Sequence, residues 1–251
     1  MTYFPAACRT GGRPRVGAGR GRLLRVLYRA LELTVAPALR ALYRPAVTGA
    51  GHVPPTGPVI IAGNHVSFAD EIFTPVAARR QVFYFAKAEY FTSEGLKGKA
   101  MGAVFREMGQ VPVERADTRS AAASIDIGVE LLNEGVALGI YPEGTRSPDG
   151  RMHKFRTGVA RLAIRSGAPV VPVGLVGTRE VQPPGSKRWH MAPVAINFGP
   201  ALDFSGRAED ERSAKALRAI TEEIRTSIQA LSGQEYVDAY ATTLAAAREG
   251  E

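Results

Sequence analysis

Between Pro58 and Leu231 the chain alternates short apolar runs with stretches that repeat at helical spacing, and this alternation restricts the fold more than any other feature. Runs of strand length lie at 58–63, 82–86, 110–114, 136–141, 169–176 and 194–198, and helical patterns at about 70–80, 95–108, 118–134, 154–167 and 208–231. Strands separated by helices imply βαβ units, and hence an α/β fold whose largely parallel sheet is flanked by helices. With 251 residues, 45% of them hydrophobic, the chain can bury one core of this kind, which we place at 45–232. Residues 178–193, with Pro183, Pro184, Gly185 and the only tryptophan, Trp189, are expected to form an irregular excursion. Residues 233–251 are expected to be a tail, either a weak Ala-rich helix or a frayed end. In such sheets the functional residues gather at the carboxyl ends of the strands.

The formal charge of +8 is concentrated at one end. Residues 1–44 hold nine arginines against a single acid, Glu32, while the remainder is balanced. Residues 1–21, rich in Gly, Arg and Pro, read as a disordered basic leader. Over 22–44 the pattern is a basic amphipathic helix or helix pair: Leu24, Leu27, Leu31, Val35 and Leu42 fall on one side, Arg22, Arg25, Arg29 and Glu32 on the other, with Val26 and Leu33 off pattern. Pro37 is expected to kink or split it. Each Arg at mid-bilayer costs roughly 2.5–3.5 kcal/mol on insertion scales, which argues against a transmembrane span. Two readings fit: attachment to an anionic membrane surface, or a helix packed on its own domain with a solvated Arg face. The neutral body and the lack of interleaved aromatics argue against nucleic acid. A single cysteine, Cys8, gives neither a disulfide framework nor a metal-binding pair and suits a reducing cytoplasmic setting.

Chemistry concentrates at predicted strand ends. After Val59-Ile60-Ile61-Ala62 comes Asn64-His65-Val66-Ser67-Phe68-Ala69-Asp70. Five residues along one helix would put His65 and Asp70 on different faces, but a strand running through a bend into a helix can bring them together. A carboxylate on one ring nitrogen would orient the imidazole, leaving the other to take a proton from a substrate hydroxyl. After the run at 136–141 comes Tyr141-Pro142-Glu143-Gly144-Thr145-Arg146-Ser147. Gly144 permits close backbone approach, Arg146 presents a planar fork, and Thr145 and Ser147 add hydroxyls: parts for holding a phosphomonoester, or a surface turn with Glu143 and Arg146 paired in solvent. Gly109 to Arg115 sets Arg115 at another strand end, as an anion ligand or a solvated charge. Lys154-Phe155-Arg156-Thr157-Gly158 opens a helix with two cations, either an anion site or an ordinary helix start. His52, His153 and His190 read as surface or loop histidines, and no metal site is expected. No GxSxG elbow makes Ser67 a nucleophile, and neither GxxxxGK[ST] nor GxGxxG is present.

In this order the four segments resemble the 1-acylglycerol-3-phosphate acyltransferases, the glycerolipid acyltransferases of the PlsC type. Asn64-His65 through Asp70 matches the first block of that family. Gly109 to Arg115 is similar to the second, Tyr141 to Ser147 matches the third with Tyr for the usual Phe, and Val170-Val171-Pro172-Val173 resembles the fourth. The likeness covers about 45–200. It implies transfer of a fatty acyl group from a thioester, acyl-CoA or acyl carrier protein, to the free hydroxyl of lysophosphatidate, without a further cofactor. It implies His65 as general base, Asp70 as its orienter, and Arg115, Glu143, Gly144, Thr145 and Arg146 around the acceptor. A peripheral position on the cytoplasmic face of the plasma membrane would follow. Another lysophospholipid or glycolipid acceptor, or a non-catalytic membrane-binding module, are the alternatives.

Overall fold

The computed structural model describes residues 22–87, 109–113, 118–186 and 188–243. The leader, the helix expected at 95–108, Glu114 and Arg115 lie outside them.

The strands are β1 (Ala46–Thr48), β2 (Val59–Gly63), β3 (Val82–Lys87), β4 (Gln110–Val113), β5 (Ala137–Ile140), β6 (Met152–His153), β7 (Val170–Val176), β8 (Ala195–Phe198) and β9 (Tyr236–Val237). The helices are α1 (Arg22–Tyr43), α2 (Asp70–Ala78), α3 (Thr118–Asn133), α4 (Gly158–Ser166), the single turn α5 (Thr178–Val181) and α6 (Ala214–Ser232). Seven strands form one sheet in the order β1-β8-β7-β2-β5-β3-β4, parallel except where β7 meets β8. β6 and β9 form a separate two-stranded parallel ladder.

All of β2 is buried, because it lies between β5 and β7 with helices over both faces. The period of two along the strand divides its side chains between two cores. Ile60 and Ala62 join Leu138, Phe155, Val159, Leu162, Ile220 and Ile224 on the face covered by α3, α4 and α6. Val59 and Ile61 join Phe73, Tyr84, Val171, Val173 and Leu175 on the face covered by α2. α6 shows why it docks as it does: Leu217, Ile220, Thr221, Ile224 and Ile228 recur at helical spacing and all are buried. Ser213 caps its start by accepting from the Ala216 N–H, and Gly233, at φ +68°, ends it.

Two expectations change. α1 continues through Pro37 as one helix, ending where Arg44 turns to φ +42°. Its last turns dock on the body through buried Ala36, half-buried Leu39 and Tyr43, and an Arg40 guanidinium that donates to the Val76 carbonyl at 2.6 Å. Tyr43 meets Phe73 edge-on at 5.3 Å. Leu33, Val35 and Leu42 stay 75%, 41% and 59% exposed, so at this end the helix both packs on its domain and keeps apolar side chains in solvent. The second change is beyond Gly233. From there to Thr243 the chain returns as β9 against β6, with Met152 N–H donating to Glu235 and Lys154 N–H to Ala239, and buries Ala241 at the start of a helical turn, while residues 244–251 lie outside the described ones. A two-residue strand carries no periodicity, so these backbone pairings leave no trace in the pattern of side chains.

Candidate active site

β2 and β5 are adjacent and parallel, with Ala62 opposite Ile140, so the segments leaving their carboxyl ends meet. From β2 the chain bends through Ser67 and enters α2 at Asp70. The Asp70 carboxylate, fully buried in the first turn of α2, folds back over this bend. Its Oδ2 accepts from the N–H of Val66 at 2.8 Å and of Ser67 at 2.9 Å, and lies 2.9 Å from His65 Nδ1. Three donors thus converge on one oxygen of a carboxylate at a helix amino end and fix its orientation. The His65 side chain is 12% exposed, and Nε2 makes no hydrogen bond to a described residue. Ser67 is fully buried; its hydroxyl donates to the Gln182 carbonyl and accepts from the Ala69 N–H, which makes it a turn residue.

The segment after β5 grips His65 from the other side. Glu143 is buried, not paired with Arg146 in solvent: Oε1 accepts from the His65 N–H and Oε2 from the His153 N–H, each at 3.0 Å. The Ser147 N–H donates to the His65 carbonyl at 2.7 Å, so both backbone polar groups of His65 are taken by this loop. The Tyr141 ring stacks on the imidazole at 4.0 Å and lies parallel to Tyr84 at 5.7 Å. Gly139 makes room for this column, since a Cβ there would come within 2.1 Å of the Tyr84 ring. Burial pushes both phenols up, so they act as packing surfaces.

Burial also pushes the Glu143 carboxyl up to about 7, against the pull of its two N–H donors. The folded chain therefore holds this proton more tightly than the unfolded one. The resulting stability is fully present below pH ~4.5 and lost as pH rises through about 7, by up to ~3 kcal/mol. The destabilisation caused by Glu143→Ala should accordingly be larger at pH 5 than at pH 8 in denaturant titrations. A pH-independent difference would mean that Glu143 does not titrate in this window.

Of the other residues read from the sequence, Gly144 (φ +79°), half-buried Thr145 and exposed Arg146 lie together on the outer side of the second loop. Arg115 lies outside the described residues. Val170 to Val173 form the buried start of β7 beside β2 and so belong to the core. Lys154 pairs with Asp238 at 2.9 Å, and Arg156 crosses Gly144, with its Nε 3.0 Å from where a Cβ would stand.

Two buried polar side chains near the site escape the sequence reading. Asn64, fully buried, donates through Nδ2 to the Leu175 carbonyl and accepts at Oδ1 from the Leu175 N–H, extending the β2–β7 ladder by a side chain. His153 is not a surface or loop histidine: it is fully buried in β6 with Nε2 2.9 Å from Asp149 Oδ1. Partial burial works against ionisation of Asp149, but hydrogen bonds from Arg151 and His153 outweigh it and hold its carboxyl well below the usual carboxylate range. The carboxylate four residues before His153 was the available signal. No group of three His, Cys, Asp or Glu side chains that could hold a metal ion occurs among the described residues.

An oriented imidazole with one open nitrogen, next to an exposed glycine–arginine loop, can deprotonate a hydroxyl whose carrier is held by an anionic group. Residues 44–176 match the family model described as Acyltransferase. A chloroplastic 1-acyl-sn-glycerol-3-phosphate acyltransferase of Brassica napus is 31% identical over 157 residues, 62% of this chain and 44% of the relative. The 1-acyl-sn-glycerol-3-phosphate acyltransferase of Borreliella burgdorferi is 32% identical over 132 residues, 53% of this chain and 51% of the relative. The chain thus spans about half the length of these curated relatives. In fold it is similar to the crystal structure of the 1-acyl-sn-glycerophosphate acyltransferase PlsC from Thermotoga maritima, with a TM-score of 0.62 and 24% identity over 86% of this chain and 84% of that one. With the family model covering more than half of its residues, the chain belongs to the Acyltransferase family.

Proposed function

We propose that the chain moves a fatty acyl group from a thioester, acyl-CoA or acyl carrier protein, to the free hydroxyl of lysophosphatidate, giving phosphatidate for phospholipid synthesis. The observation that carries this is the state of His65: Nδ1 fixed by Asp70, backbone held by Glu143 and Ser147 on either end of the Gly144–Arg146 stretch, and Nε2 without a hydrogen bond to a described residue. Nε2 takes the proton of the acceptor hydroxyl as its oxygen attacks the thioester carbonyl. The tetrahedral adduct then expels the thiolate, the C–S bond breaks, and the imidazolium returns its proton to sulfur. No acyl-enzyme forms, in keeping with a buried Ser67 whose hydroxyl is already bonded. Arg146 and Arg115 hold the acceptor phosphate, while Gly144 and Thr145 line its approach.

The test is acceptor-dependent thiol release from acyl-CoA with lysophosphatidate, beside lysophosphatidylinositol and a lysoglycolipid. Release confined to lysophosphatidate is expected. A preference for either other lipid moves the reading to that acceptor, and none with any acceptor ends it.

The exposed Leu33, Val35 and Leu42 of α1, together with the arginine surplus before them, suit peripheral docking on an anionic surface, which we assign to the cytoplasmic face of the plasma membrane. No helix among the described residues is long and apolar enough to cross a membrane. Removing residues 1–32 leaves the docked turns of α1 in place, and should weaken co-sedimentation with anionic vesicles by at least about tenfold. Unchanged binding would remove the membrane role.

A further inference from the structure

We infer that Arg156 is a second guanidinium for the acceptor's phosphate, held over the Gly144 loop by the segment that follows α6. The inference rests on the acceptor reading above and adds a residue outside the four motif blocks.

Five cations surround the loop between β5 and α4, and the structure separates them. Arg151 donates to Asp149 Oδ2 through Nε at 3.0 Å and Nη2 at 2.7 Å. Arg179 is spent on the Ser147 and Pro148 carbonyls at 3.0 and 3.1 Å. Lys154 pairs with Asp238. Arg146 and Arg156 remain, both exposed and neither paired with a carboxylate among the described residues. The nearby acids are taken: Glu143 faces inward onto two N–H groups, and Asp149 serves Arg151 and His153.

Arg156 is nonetheless held in one place. Its N–H donates to the Pro142 carbonyl at 2.8 Å, tying it to the loop that carries Glu143. Its stem lies across Gly144, with Nε 3.0 Å and Cδ 3.2 Å from the site of a Cβ, so a side chain at that point would crowd it, and the φ of +79° there favours glycine as well. The guanidinium stacks over the Tyr240 ring at 5.2 Å and donates through Nη2 to Thr242 Oγ1 at 3.2 Å. Tyr240 and Thr242 are brought there by the β6–β9 ladder, the Lys154–Asp238 pair and buried Ala241. An exposed arginine oriented by an aromatic face and a hydroxyl, with no anion of its own, is poised for an anion from outside. A phosphomonoester carries roughly two negative charges near neutral pH, which two guanidinium groups flanking Gly144 would balance.

The test is steady-state thiol release with lysophosphatidate and acyl-CoA varied separately, for wild type, Arg156→Ala, Arg156→Gln, Tyr240→Ala and Arg146→Ala. The donor also carries phosphate groups, so its KM is the control that separates the two substrates. For Arg156→Ala the acceptor KM should rise about tenfold or more, with kcat and donor KM within about twofold. Tyr240→Ala, which leaves the charge but removes its support, should show a smaller rise in the same constant. Should the alanine variant not fold, Arg156→Gln keeps the length of the stem and is read in the same way. An acceptor KM unchanged at Arg156 but raised at Arg146 overturns this inference and leaves the acceptor reading standing. Equal changes in acceptor and donor KM also overturn it, because they mark a structural role. Absence of lysophosphatidate-dependent release in wild type overturns both.

Discussion

His65→Ala is expected to lower kcat for acyl transfer by about 10²–10⁴-fold while the protein stays folded. The loss falls on the chemical step because the imidazole supplies the proton acceptor for the attacking hydroxyl. The groups proposed to hold the acceptor, around Gly144 and Arg146, are left in place. The backbone bonds of His65, from its N–H to Glu143 and to its carbonyl from Ser147, do not depend on its side chain and survive the substitution. What is lost structurally is one face of the Tyr141 stack and the third donor to Asp70 Oδ2. Val66 and Ser67 still donate to that oxygen, so Asp70 remains solvated by the protein. Single-turnover thiol release beside a thermal melt makes the check. A rate within tenfold of wild type would mean that another group takes the proton.

The parts of this architecture that were legible in the sequence are those whose side chains repeat. β2 reads as a strand because Val59, Ile60, Ile61 and Ala62 face two cores at once, and α6 because Leu217, Ile220, Ile224 and Ile228 return to one face. The proximity of His65 and Asp70 was also legible, because a bend between a strand and a helix brings positions five apart together. What was not legible depends on the direction a side chain takes once the chain has folded. Glu143 and Arg146 are three positions apart in one loop, yet the first turns inward to two backbone N–H groups and the second outward. Asn64 pairs with a strand more than a hundred residues away, and only the neighbouring position of β7 reveals why an amide stands there. β9 is ordered by backbone bonds from Met152 and Lys154, to which composition is blind.

Asp70 separates structure from chemistry in a way that His65 does not. Asp70→Ala removes the acceptor for three donors at once, the N–H groups of Val66 and Ser67 and Nδ1 of His65. The two backbone groups are buried, and leaving a buried donor unpaired costs about 1–3 kcal/mol each, so this variant should lose several kcal/mol of stability along with its activity. Asp70→Asn is the informative change. All three donors converge on Oδ2, whereas Oδ1 is buried without a partner among the described residues. An asparagine with its oxygen in the Oδ2 position and its amide nitrogen in the Oδ1 position keeps every bond around the bend, including the tautomer of His65. It loses the negative charge that stabilises the imidazolium once the proton has moved. The Asn variant should therefore melt above the Ala variant, though below wild type because its amide nitrogen is buried without an acceptor, and still lose about 10²-fold in kcat, with both substrate KM values little changed. If Asn restores both stability and rate, the carboxylate serves only to shape the bend, and the charge on Asp70 has no part in the transfer.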